Sequence, residues 1–304
     1  MPDGDIRFDN KVAVITGAGA GLGRCHALLL ASRGARVVVN DLGGNPDGTG
    51  ASESAADVVV KQILEAGGEA VANYDSVSTP EGGAAVIQTA LDAYDTVDIV
   101  INNAGILRDK SVAKLEPADF SAVLDVHLKG TFFVSQSAFR VMKEKGYGRF
   151  VHTTSAAGLF GNFGQANYAA AKMGIVGISN VLAIEGAKAN IKSNVIAPMA
   201  KTRLTESLLG PMADGLMPEQ VSGLVAYLAS EACELTHETF SVGGGRIGRV
   251  FMAEVPGWGA AKGAVPTIED VRDNLGQIMD TEGYIIPKAA TDEMPLLLAQ
   301  FQKD

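Results

Sequence analysis

Short runs of apolar and β-branched residues alternate along the chain with longer segments in which apolar residues recur at helical spacing. The runs that predict strands are Lys11–Thr16, Ala35–Asp41, Glu69–Tyr74, Val97–Asn102, Arg149–Thr154, Ile191–Ala197 and Thr239–Val242. The segments that predict helices between them are Leu22–Arg33, Ser52–Ala66, Glu81–Tyr94, Pro117–Lys145 and the stretch from Tyr168 to Ala189. Strands separated by helices of this length pair in parallel through right-handed crossovers. The pattern therefore predicts an α/β fold, a doubly wound parallel sheet of about seven strands with helices on both faces.

No internal repeat and no linker-like composition divides the chain before about residue 244, so residues 1–245 are predicted to form one domain. Residues 246–304 are then a C-terminal extension. In this extension a capping box is predicted at Thr267 and Asp270, and apolar residues at helical spacing follow at Ile268, Val271, Leu275 and Ile278. We expect this amphipathic helix to pack on the same domain or to lie in the subunit interface of a homodimer or homotetramer.

The composition is that of a soluble enzyme, with 47% hydrophobic and 20% charged residues. The formal net charge of −10, without a basic stripe, disfavours nucleic acid and anionic membrane surfaces as partners. Cys25 and Cys233 lie far apart and without metal-ligand spacing, so neither a disulfide nor a metal site is predicted. The N-terminal residues lack the apolar core of a signal peptide, and no apolar run approaches the ~20 residues of a membrane span. A cytoplasmic location is the expectation.

The stretch Ser155–Lys172 carries a hydroxyl, a phenol and an ammonium group that can meet at one point. Tyr168 and Lys172 are four residues apart in an Ala-rich helical segment, so they share one helix face. A neighbouring cation favours the phenolate, so we expect Lys172 to lower the pKa of Tyr168. Tyr168 is then a candidate acid/base, and Ser155 a candidate hydrogen-bond donor to an oxygen on which charge develops. Taken alone, Y-x-x-x-K also fits a buried tyrosine beside a surface lysine.

The strand Lys11–Thr16 runs directly into a glycine-rich turn, G-A-G-A-G-L-G at Gly17–Gly23, and then into a helix. Small residues in such a turn let a pyrophosphate approach the amides at the helix N-terminus, as in Rossmann-type sheets. The turn alone would also fit simple tight packing. Asp41 ends the second strand, where a carboxylate accepts hydrogen bonds from the adenosine ribose and repels a 2′-phosphate. No basic residue lies in Gly17–Gly23, so NAD is favoured over NADP.

Four separated elements together resemble the short-chain dehydrogenase/reductase family. They are T-G-x-x-x-G-x-G at Thr16–Gly23, N-N-A-G at Asn102–Gly105, Ser155, and Y-x-x-x-K at Tyr168–Lys172. The resemblance implies that Tyr168 is the acid/base, that Ser155 polarises the substrate oxygen, and that Lys172 binds the nicotinamide ribose. It implies cofactor contacts at Gly17, Gly21, Leu22, Gly23, Asp41, Asp75, Ser76, Asn103, Ala104, Gly105, Tyr168, Lys172 and Thr202.

Two positions depart from the usual pattern of the family. Where the family usually has V-N-x-x-G, this chain has V-H-L-K-G at Val126–Gly130. One hypothesis is that His127 extends a proton relay. The favoured hypothesis is that His127 is a polar residue whose hydrogen bonds are satisfied within its helix. After the sixth strand, P-G-x-x-x-T becomes P-M-A-K-T-R at Pro198–Arg203, so Thr202 lies one position early for a contact to the cofactor's diphosphate.

With these two departures and D-L-G-G at Asp41–Gly44, the chain resembles the (3R)-hydroxyacyl-CoA dehydrogenase part of peroxisomal multifunctional enzyme type 2. It also resembles the single-domain bacterial relatives of that part. The resemblance implies an NAD-dependent oxidation of (3R)-hydroxyacyl-CoA in fatty-acid or sterol side-chain degradation. The alternatives are a 17β-hydroxysteroid dehydrogenase, a 3-oxoacyl-[acyl-carrier-protein] reductase that uses NADPH, and, from another class, a non-catalytic nucleotide-sensing protein. Asp41 argues against the NADPH-dependent reductase, and the intact set of Ser155, Tyr168 and Lys172 argues against the sensor.

Apolar residues surround the predicted catalytic group in the sequence. They are Leu159, Phe160, Phe163, Leu204, Leu208, Leu209, Met212, Leu216 and Met217. A long apolar channel that ends at the Tyr168 hydroxyl would suit an acyl chain or a steroid better than a small alcohol. The cations considered as contacts for the phosphates of coenzyme A are Lys201, Arg203, Arg246 and Arg249.

Overall fold

The computed structural model describes residues 4–50, 52, 54–202 and 210–301. Within them the strands are β1 (Val12–Thr16), β2 (Arg36–Asn40), β3 (Glu69–Asn73), β4 (Ile99–Asn102), β5 (Gly148–Thr153), β6 (Ile191–Pro198), β7 (Glu238–Gly243) and β8 (Arg246–Val250). The helices are α1 (Gly21–Ser32), α2 (Ser54–Glu65), α3 (Pro80–Tyr94), α4 (Pro117–Leu124), α5 (Gly130–Lys145), α6 (Ala156–Phe160), α7 (Ala166–Gly186), α8 (Glu219–Ala229), α9 (Ile268–Asp273), α10 (Leu275–Ile278) and α11 (Met294–Phe301). Every predicted strand is present, with bounds that differ by one or two residues at most.

The described strands form one sheet in the order β3-β2-β1-β4-β5-β6-β7-β8. Strands β1 to β7 pair in parallel throughout, which confirms the predicted doubly wound sheet. Strand β8 was not predicted. It joins the edge of the sheet through the two-residue turn Gly244-Gly245, whose φ angles of 57° and 77° suit glycine. The sheet therefore has one strand more than expected, and the division of the chain into two compact units falls after Arg249 rather than after residue 245.

Successive residues of β1 face opposite sides of the sheet and enter two different hydrophobic clusters. Ala13 and Ile15 pack with residues of α1, α2 and α8 on one face. Val12 and Val14 pack with residues of α3 and α5 on the other. This alternation follows from the two-residue period of a strand, and it confirms that helices cover both faces of the sheet.

The two central strands β1 and β4 send the chain to opposite faces. The connection after β1 leads to α1, which lies on one face, and the connection after β4 leads to α4 and α5, of which α5 lies on the other. A crevice therefore opens between the carboxyl ends of β1 and β4. Open α/β sheets bind their ligands at this kind of switch point.

The predicted helix from Pro117 to Lys145 is present but is not continuous. A π-helical turn, Asp125–Lys129, joins α4 to α5 and contains His127. A π-helical turn inserts one extra residue into an α-helix, and such turns are frequent at functional sites. This interruption differs from the single continuous helix predicted over Pro117–Lys145.

Helix α7 and the 3-10 turn that extends it to Ala189 form a segment that is long and apolar enough to cross a membrane by length and composition alone, with a mean hydropathy of 1.2. The expectation that no apolar run approaches the length of a membrane span is therefore not met by this segment. The buried face of this helix carries Asn167, Lys172 and Ser179, and the helix packs against β5 and β6. These are the contacts of a core helix in a doubly wound sheet.

The second compact unit begins at Val250. Thr267 and Asp270 form the predicted capping box at the start of α9. The single helix predicted through Ile278 is divided at Asn274 into α9 and α10, because the backbone of Asn274 leaves the helical conformation with φ −104° and ψ 10°.

The apolar stripe of this unit is exposed. Ile268, Val271 and Leu275 are 85%, 47% and 53% exposed, and none of residues 250–299 is buried. Exposed apolar residues in such number are typical of interaction surfaces. The expectation that the stripe lies in a subunit interface stays a prediction.

We expect replacement of both Val271 and Leu275 by lysine to lower the mass of the protein in solution, because a buried, unpaired ammonium would oppose association. Light scattering coupled to size-exclusion chromatography measures that mass. The matched control replaces Val58 and Leu64 of α2, each 53% exposed, by lysine. An unchanged mass and an unchanged melting temperature in the Val271 and Leu275 variant would contradict the assignment.

Candidate active site

A cavity of about 530 Å³ opens at the carboxyl ends of the parallel strands. It is lined by all the predicted cofactor-binding and catalytic residues except Gly23. These residues are Gly17, Gly21, Leu22, Asp41, Asp75, Ser76, Asn103, Ala104, Gly105, Ser155, Tyr168, Lys172 and Thr202. The fold thus brings the predicted residues to one place, and the role of each of them stays a prediction.

The glycine-rich turn has the close backbone approaches that its sequence predicts. Gly17 and Gly21 have φ angles of 64° and 53°, in the left-handed region that favours glycine. A Cβ on Gly23 would lie 2.3 Å from the carbonyl oxygen of Gly17. Gly23 therefore shapes the turn and does not line the cavity, and its predicted contact with the cofactor stays a prediction.

The end of β4 is tied to the end of β1. The hydroxyl oxygen of Thr16 accepts hydrogen bonds from the backbone N–H groups of Asn103 and Ala104, both at 3.1 Å. The side-chain amide of Asn103 donates to the carbonyl oxygens of Thr16 and Gly17 at 3.1 and 3.0 Å. Asn103 lines the cavity, but its side chain holds the glycine-rich turn in place.

Asp41 is oriented by two backbone N–H groups. Its carboxylate oxygens accept hydrogen bonds from Gly19 at 2.8 Å and from Gly43 at 2.7 Å. Such bonds fix a carboxylate in one orientation.

Thr202 lies close to the glycine-rich turn, because a Cβ built on Gly21 would be 3.5 Å from the methyl carbon of Thr202. Despite its early position in the motif, Thr202 therefore reaches the glycine-rich turn.

The elements β5, α6 and α7 position the three candidate catalytic side chains. Ser155 caps α6, with its Oγ accepting a hydrogen bond from the N–H of Ala157 at 3.2 Å. The side chain of Ser155 also lies close enough to Tyr168 to influence its pKa. The Nζ of Lys172 donates to the carbonyl oxygen of Thr153 at 2.7 Å and lies 5.5 Å from the centre of the Tyr168 ring.

Burial decides the ionisation of both titratable groups. It lowers the pKa of Lys172, which is 3% exposed, to about 7. It also raises the pKa of Tyr168, although the side chain of Ser155 acts in the opposite direction, and the charge of Asp109 adds to the increase. The pKa of Tyr168 is therefore raised by burial in the chain alone, and the expectation that Lys172 lowers it is wrong for that state.

His127 is not satisfied within its helix as expected. Its Nε2 lies 3.0 Å from the backbone nitrogen and 2.8 Å from the carbonyl oxygen of Ile106, outside the helix. Its ring is perpendicular to the ring of Tyr168, with 5.2 Å between the centres. Both contacts join His127 to residues far away in the chain, Ile106 and Tyr168, and the sequence around position 127 does not predict either of them.

The loop after β2 is a part of the site that sequence reasoning missed. It brings Pro46 to the other side of the cavity, where its carbonyl oxygen accepts a hydrogen bond from the N–H of Leu107 at 2.9 Å. The carbonyl oxygen of Asp47 accepts from Nε of Arg108 at 2.9 Å. Pro46 and Leu107 both line the cavity. The Gly, Pro and Asn residues of this loop indicate turns, but nothing local in the sequence indicates what the loop reaches.

The residues predicted to form a substrate channel are only partly supported. Phe160 lines the cavity and is 73% exposed, whereas Phe163 is 90% exposed and does not line it. Leu204, Leu208 and Leu209 lie outside the described residues, and the side chain of Met212 is not described. Arg203, one of the cations considered for coenzyme A, also lies outside them. Met199, which was not predicted, lines the cavity.

The cations considered for coenzyme A have acidic or polar neighbours in the chain. Lys201 pairs with Asp214 at 3.3 Å, and Arg249 pairs with Glu238 at 2.6 Å. Arg246 lies 3.5 Å from the hydroxyl of Ser241. These contacts give no support to a dedicated phosphate site at the three residues.

Comparison with known proteins identifies the class. The family model described as short chain dehydrogenase matches residues 11–210. The chain therefore belongs to the short-chain dehydrogenase family, and it is an oxidoreductase that acts on CH–OH groups. It is 50% identical to a putative short-chain type dehydrogenase/reductase of Mycobacterium tuberculosis over 275 aligned residues. The alignment covers 90% of this chain and 96% of that relative.

Two solved structures are similar to the chain. Full-length peroxisomal multifunctional enzyme type 2 from Drosophila melanogaster superposes with a TM-score of 0.83 at 41% identity, covering 98% of this chain and 50% of that one. A 7α-hydroxysteroid dehydrogenase complexed with NADH and 7-oxo glycochenodeoxycholic acid superposes with a TM-score of 0.71 at 29% identity, covering 79% and 95%. The chain spans only 27% to 66% of the length of the curated peroxisomal multifunctional enzymes that it matches.

We expect Lys172→Met to abolish most turnover while removing a pH dependence of stability. Because burial lowers the pKa of Lys172 to about 7, the unfolded chain binds more protons than the folded chain between pH 7 and the ordinary lysine pKa of 10.5. The stability of the unmodified protein should therefore rise across that interval as the penalty of the buried ammonium is relieved.

Chemical denaturation at several pH values measures this rise, which should be smaller in Lys172→Met. The control Lys188→Met removes an exposed lysine and should leave both the rise and the turnover unchanged. An identical pH dependence in Lys172→Met and the unmodified protein would show that the buried ammonium does not act as described.

Proposed function

We propose that this chain is an NAD-dependent dehydrogenase that interconverts (3R)-hydroxyacyl-CoA and 3-oxoacyl-CoA in fatty-acid or sterol side-chain degradation. The observation that carries the proposal is the placement of Ser155, Tyr168 and Lys172 in the same cavity as Gly17 and Asp41. A proton-transfer group and a dinucleotide-binding turn thus share one space, as hydride transfer between an alcohol and a nicotinamide requires.

The residues present fit NAD. The positive φ angles of Gly17 and Gly21 open the backbone at the N-terminus of α1, where a pyrophosphate is favoured. Asp41 is held with its carboxylate lining the cavity, where it can accept hydrogen bonds from ribose hydroxyls and would repel a 2′-phosphate. Bound NAD would supply the acceptor for the hydride of the substrate carbinol carbon.

The side chains of this protein handle the proton. Tyr168 exchanges a proton with the substrate hydroxyl, and Ser155 donates a hydrogen bond to the same oxygen. Lys172 uses one of its three protons on Thr153, so the others can serve ribose hydroxyls. In that arrangement a charged Lys172 would favour the phenolate of Tyr168, which burial alone disfavours.

The acyl-CoA assignment rests on the relatives. The Drosophila protein that matches 98% of this chain is named as a multifunctional peroxisomal enzyme, and the exposed Phe160 and the cavity-lining Met199 offer apolar surface beside Tyr168. A hydroxysteroid is the second candidate substrate, because the 7α-hydroxysteroid dehydrogenase with the same fold is complexed with a steroid acid. The charge of Asp41 argues against the alternative of an NADPH-dependent carrier-protein reductase, because it would repel a 2′-phosphate.

We propose that the protein works as a homo-oligomer on a small-molecule substrate, without nucleic acid or membrane as partner. The cytoplasm is kept as its proposed location, although the eukaryotic relatives are named for the peroxisome.

The test of the substrate is a comparison of kcat/KM, with NAD in excess, for (3R)- and (3S)-hydroxyacyl-CoA of increasing chain length and for free 17β- and 7α-hydroxysteroids. We expect the (3R) isomers to react faster than the (3S) isomers and the rate constant to rise with acyl size, because apolar burial adds binding energy. Faster reaction of the (3S) isomers, or of a free steroid over every thioester, would refute the acyl-CoA assignment and leave the dehydrogenase chemistry in place.

The test of the cofactor is Asp41→Asn, which keeps the size of the side chain and removes its charge. NADP should gain on NAD by roughly tenfold, a change of ~1.4 kcal/mol. Asp41→Ala should change the preference in the same direction and also lower the melting temperature, because the N–H groups of Gly19 and Gly43 lose their acceptor. A preference of the unmodified protein for NADPH would overturn the assignment of NAD.

A further inference from the structure

Asn40 and Asn73 form a buried pair of amides at the carboxyl ends of β2 and β3. They lie opposite each other in the register of the two strands and are 2% and 5% exposed. Nδ2 of Asn40 donates a hydrogen bond to Oδ1 of Asn73 at 2.7 Å. Burying an amide costs stability unless its hydrogen bonds are satisfied. The other partners of these two amides therefore show what the pair holds in place.

Three further hydrogen bonds of the pair go to one residue, Asp75, which lies two positions beyond the end of β3. Oδ1 of Asn73 accepts from the backbone N–H of Asp75 at 3.1 Å, and Nδ2 of Asn40 donates to the carbonyl oxygen of Asp75 at 2.9 Å. Nδ2 of Asn73 donates to Oδ2 of the Asp75 carboxylate at 2.7 Å. The exposed Asp75 is thus held at both backbone groups and at one carboxylate oxygen.

The end of the strand accounts for only two of these three bonds. The backbone groups of Asp75 lie beyond the β2–β3 ladder and need other partners. An exposed carboxylate has no such need, because water solvates it. The bond from Asn73 to Oδ2 therefore orients the carboxylate. The other oxygen, Oδ1, has no hydrogen-bond partner among the described residues, and Asp75 lines the cavity.

The strand order β3-β2-β1 places the carboxyl ends of these strands side by side. In the proposed function the glycine-rich turn after β1 receives the pyrophosphate of NAD, and Asp41 at the end of β2 receives the ribose. A dinucleotide that continues in the same direction brings its base to the end of β3, where Asp75 and Ser76 line the same cavity. A carboxylate oxygen at that place accepts a hydrogen bond from an amino group on the edge of the base.

We infer that Asn40 and Asn73 are positioning residues, which fix the Asp75 carboxylate as the acceptor for the amino group of adenine and so make the chain discriminate against bases that lack this group. The inference rests on the proposed function, which supplies the dinucleotide. A movable carboxylate would follow a donor from one position of the base to the next. A carboxylate held at three points stays opposite one position, and the loss of its partner there weakens binding.

The hypoxanthine analogue of NAD is the probe. It has a carbonyl oxygen in place of the amino group of adenine, and its nearest N–H donor is one ring position away, at N1. A fixed Asp75 would oppose an acceptor to an acceptor. We expect the unmodified protein to bind NAD about tenfold or more tightly than the analogue, with each Kd measured by isothermal titration calorimetry.

Asn73→Ala releases the carboxylate. The Kd for NAD should rise about several-fold, and the preference for NAD over the analogue should fall below about threefold, because a released Asp75 can turn to the donor at N1. Asn40→Ala releases the backbone carbonyl of Asp75 but keeps the bond to its carboxylate, so its preference should lie between the two.

The matched control is Thr89→Val. Oγ1 of the half-buried Thr89 accepts the other hydrogen bond of the Asn73 amide, at 2.8 Å. The control therefore takes a partner from the same amide without touching Asp75. It should keep the preference for NAD even where its melting temperature falls.

A double-mutant cycle separates an effect through Asp75 from an effect on the sheet. Asp75→Ala should abolish the preference for NAD. Adding Asn73→Ala to it should change the Kd for NAD no further, because Asn73 acts through the missing carboxylate. A second loss as large as that of Asn73→Ala alone would overturn the inference.

The outcomes distinguish this inference from the proposed function. Equal binding of NAD and the analogue by the unmodified protein, or an unchanged preference in Asn73→Ala, overturns the inference and leaves the proposed dehydrogenase in place. A preference that falls equally in Thr89→Val and Asn73→Ala also overturns it, since the network would then be structural only. Should Asn73→Ala not fold, Asn40→Ala and Asp75→Ala carry the comparison.

Failure of the proposed function shows in other ways. Normal turnover in Tyr168→Phe would refute the proposed chemistry without affecting the preference for adenine. Binding of NADP instead of NAD would refute the proposed cofactor, but NADP carries the same base, so NADP and its hypoxanthine analogue then replace the first pair of probes. Failure to bind any of these dinucleotides would overturn both proposals.

Discussion

Four hydrogen bonds between the ends of β1 and β4 hold the site together, since the hydroxyl of Thr16 binds two backbone N–H groups and the amide of Asn103 binds two carbonyl oxygens. They fix the glycine-rich turn to the segment that continues to Ile106. One of these two segments contains Gly19, which donates a hydrogen bond to Asp41, and the other ends at Ile106, which contacts His127. The loop after β2 adds a second link above the sheet, through the hydrogen bonds of Pro46 with Leu107 and of Asp47 with Arg108.

The parts of this structure that could be predicted are those that local pattern determines. The strands were found because apolar runs have a simple period, and Tyr168 and Lys172 were paired because a four-residue spacing places side chains on one helix face. The loop after β2 was recognised as a loop, but its contact with Leu107 joins segments far apart in the chain, and no local signal specifies such a contact. The same holds for the exposed apolar stripe around Val271. The spacing of its apolar residues predicted helical structure, but it did not predict which surface those residues would contact.

The pKa of Tyr168, the proposed acid/base, is the property that the sequence predicted least well, and the reason is physical. Sequence spacing shows that a cation lies near a phenol, but it does not show how much water surrounds either group. In the structure, burial raises the pKa of Tyr168 and lowers the pKa of Lys172 to about 7, so it disfavours the charged form of both groups. The site therefore contains polar groups that the protein alone does not satisfy, among them Nδ1 of His127 and Oγ1 of Thr153 within the described residues. Natural active sites commonly reduce stability in this way.

The π-helical turn has a consequence for how this chain can vary in length. The spacing from Val123 to Met142, both buried, exceeds by one residue the ~18 residues that five α-helical turns occupy. Deleting one residue at Asp125–Lys129 would restore an uninterrupted α-helix and rotate α5 by about 100° relative to α4. Val134, Ala138 and Met142 would then turn away from the sheet, and the imidazole would lose its place beside Tyr168. Insertions and deletions should therefore be absent from this turn in relatives that keep the histidine, even where the neighbouring loops differ in length.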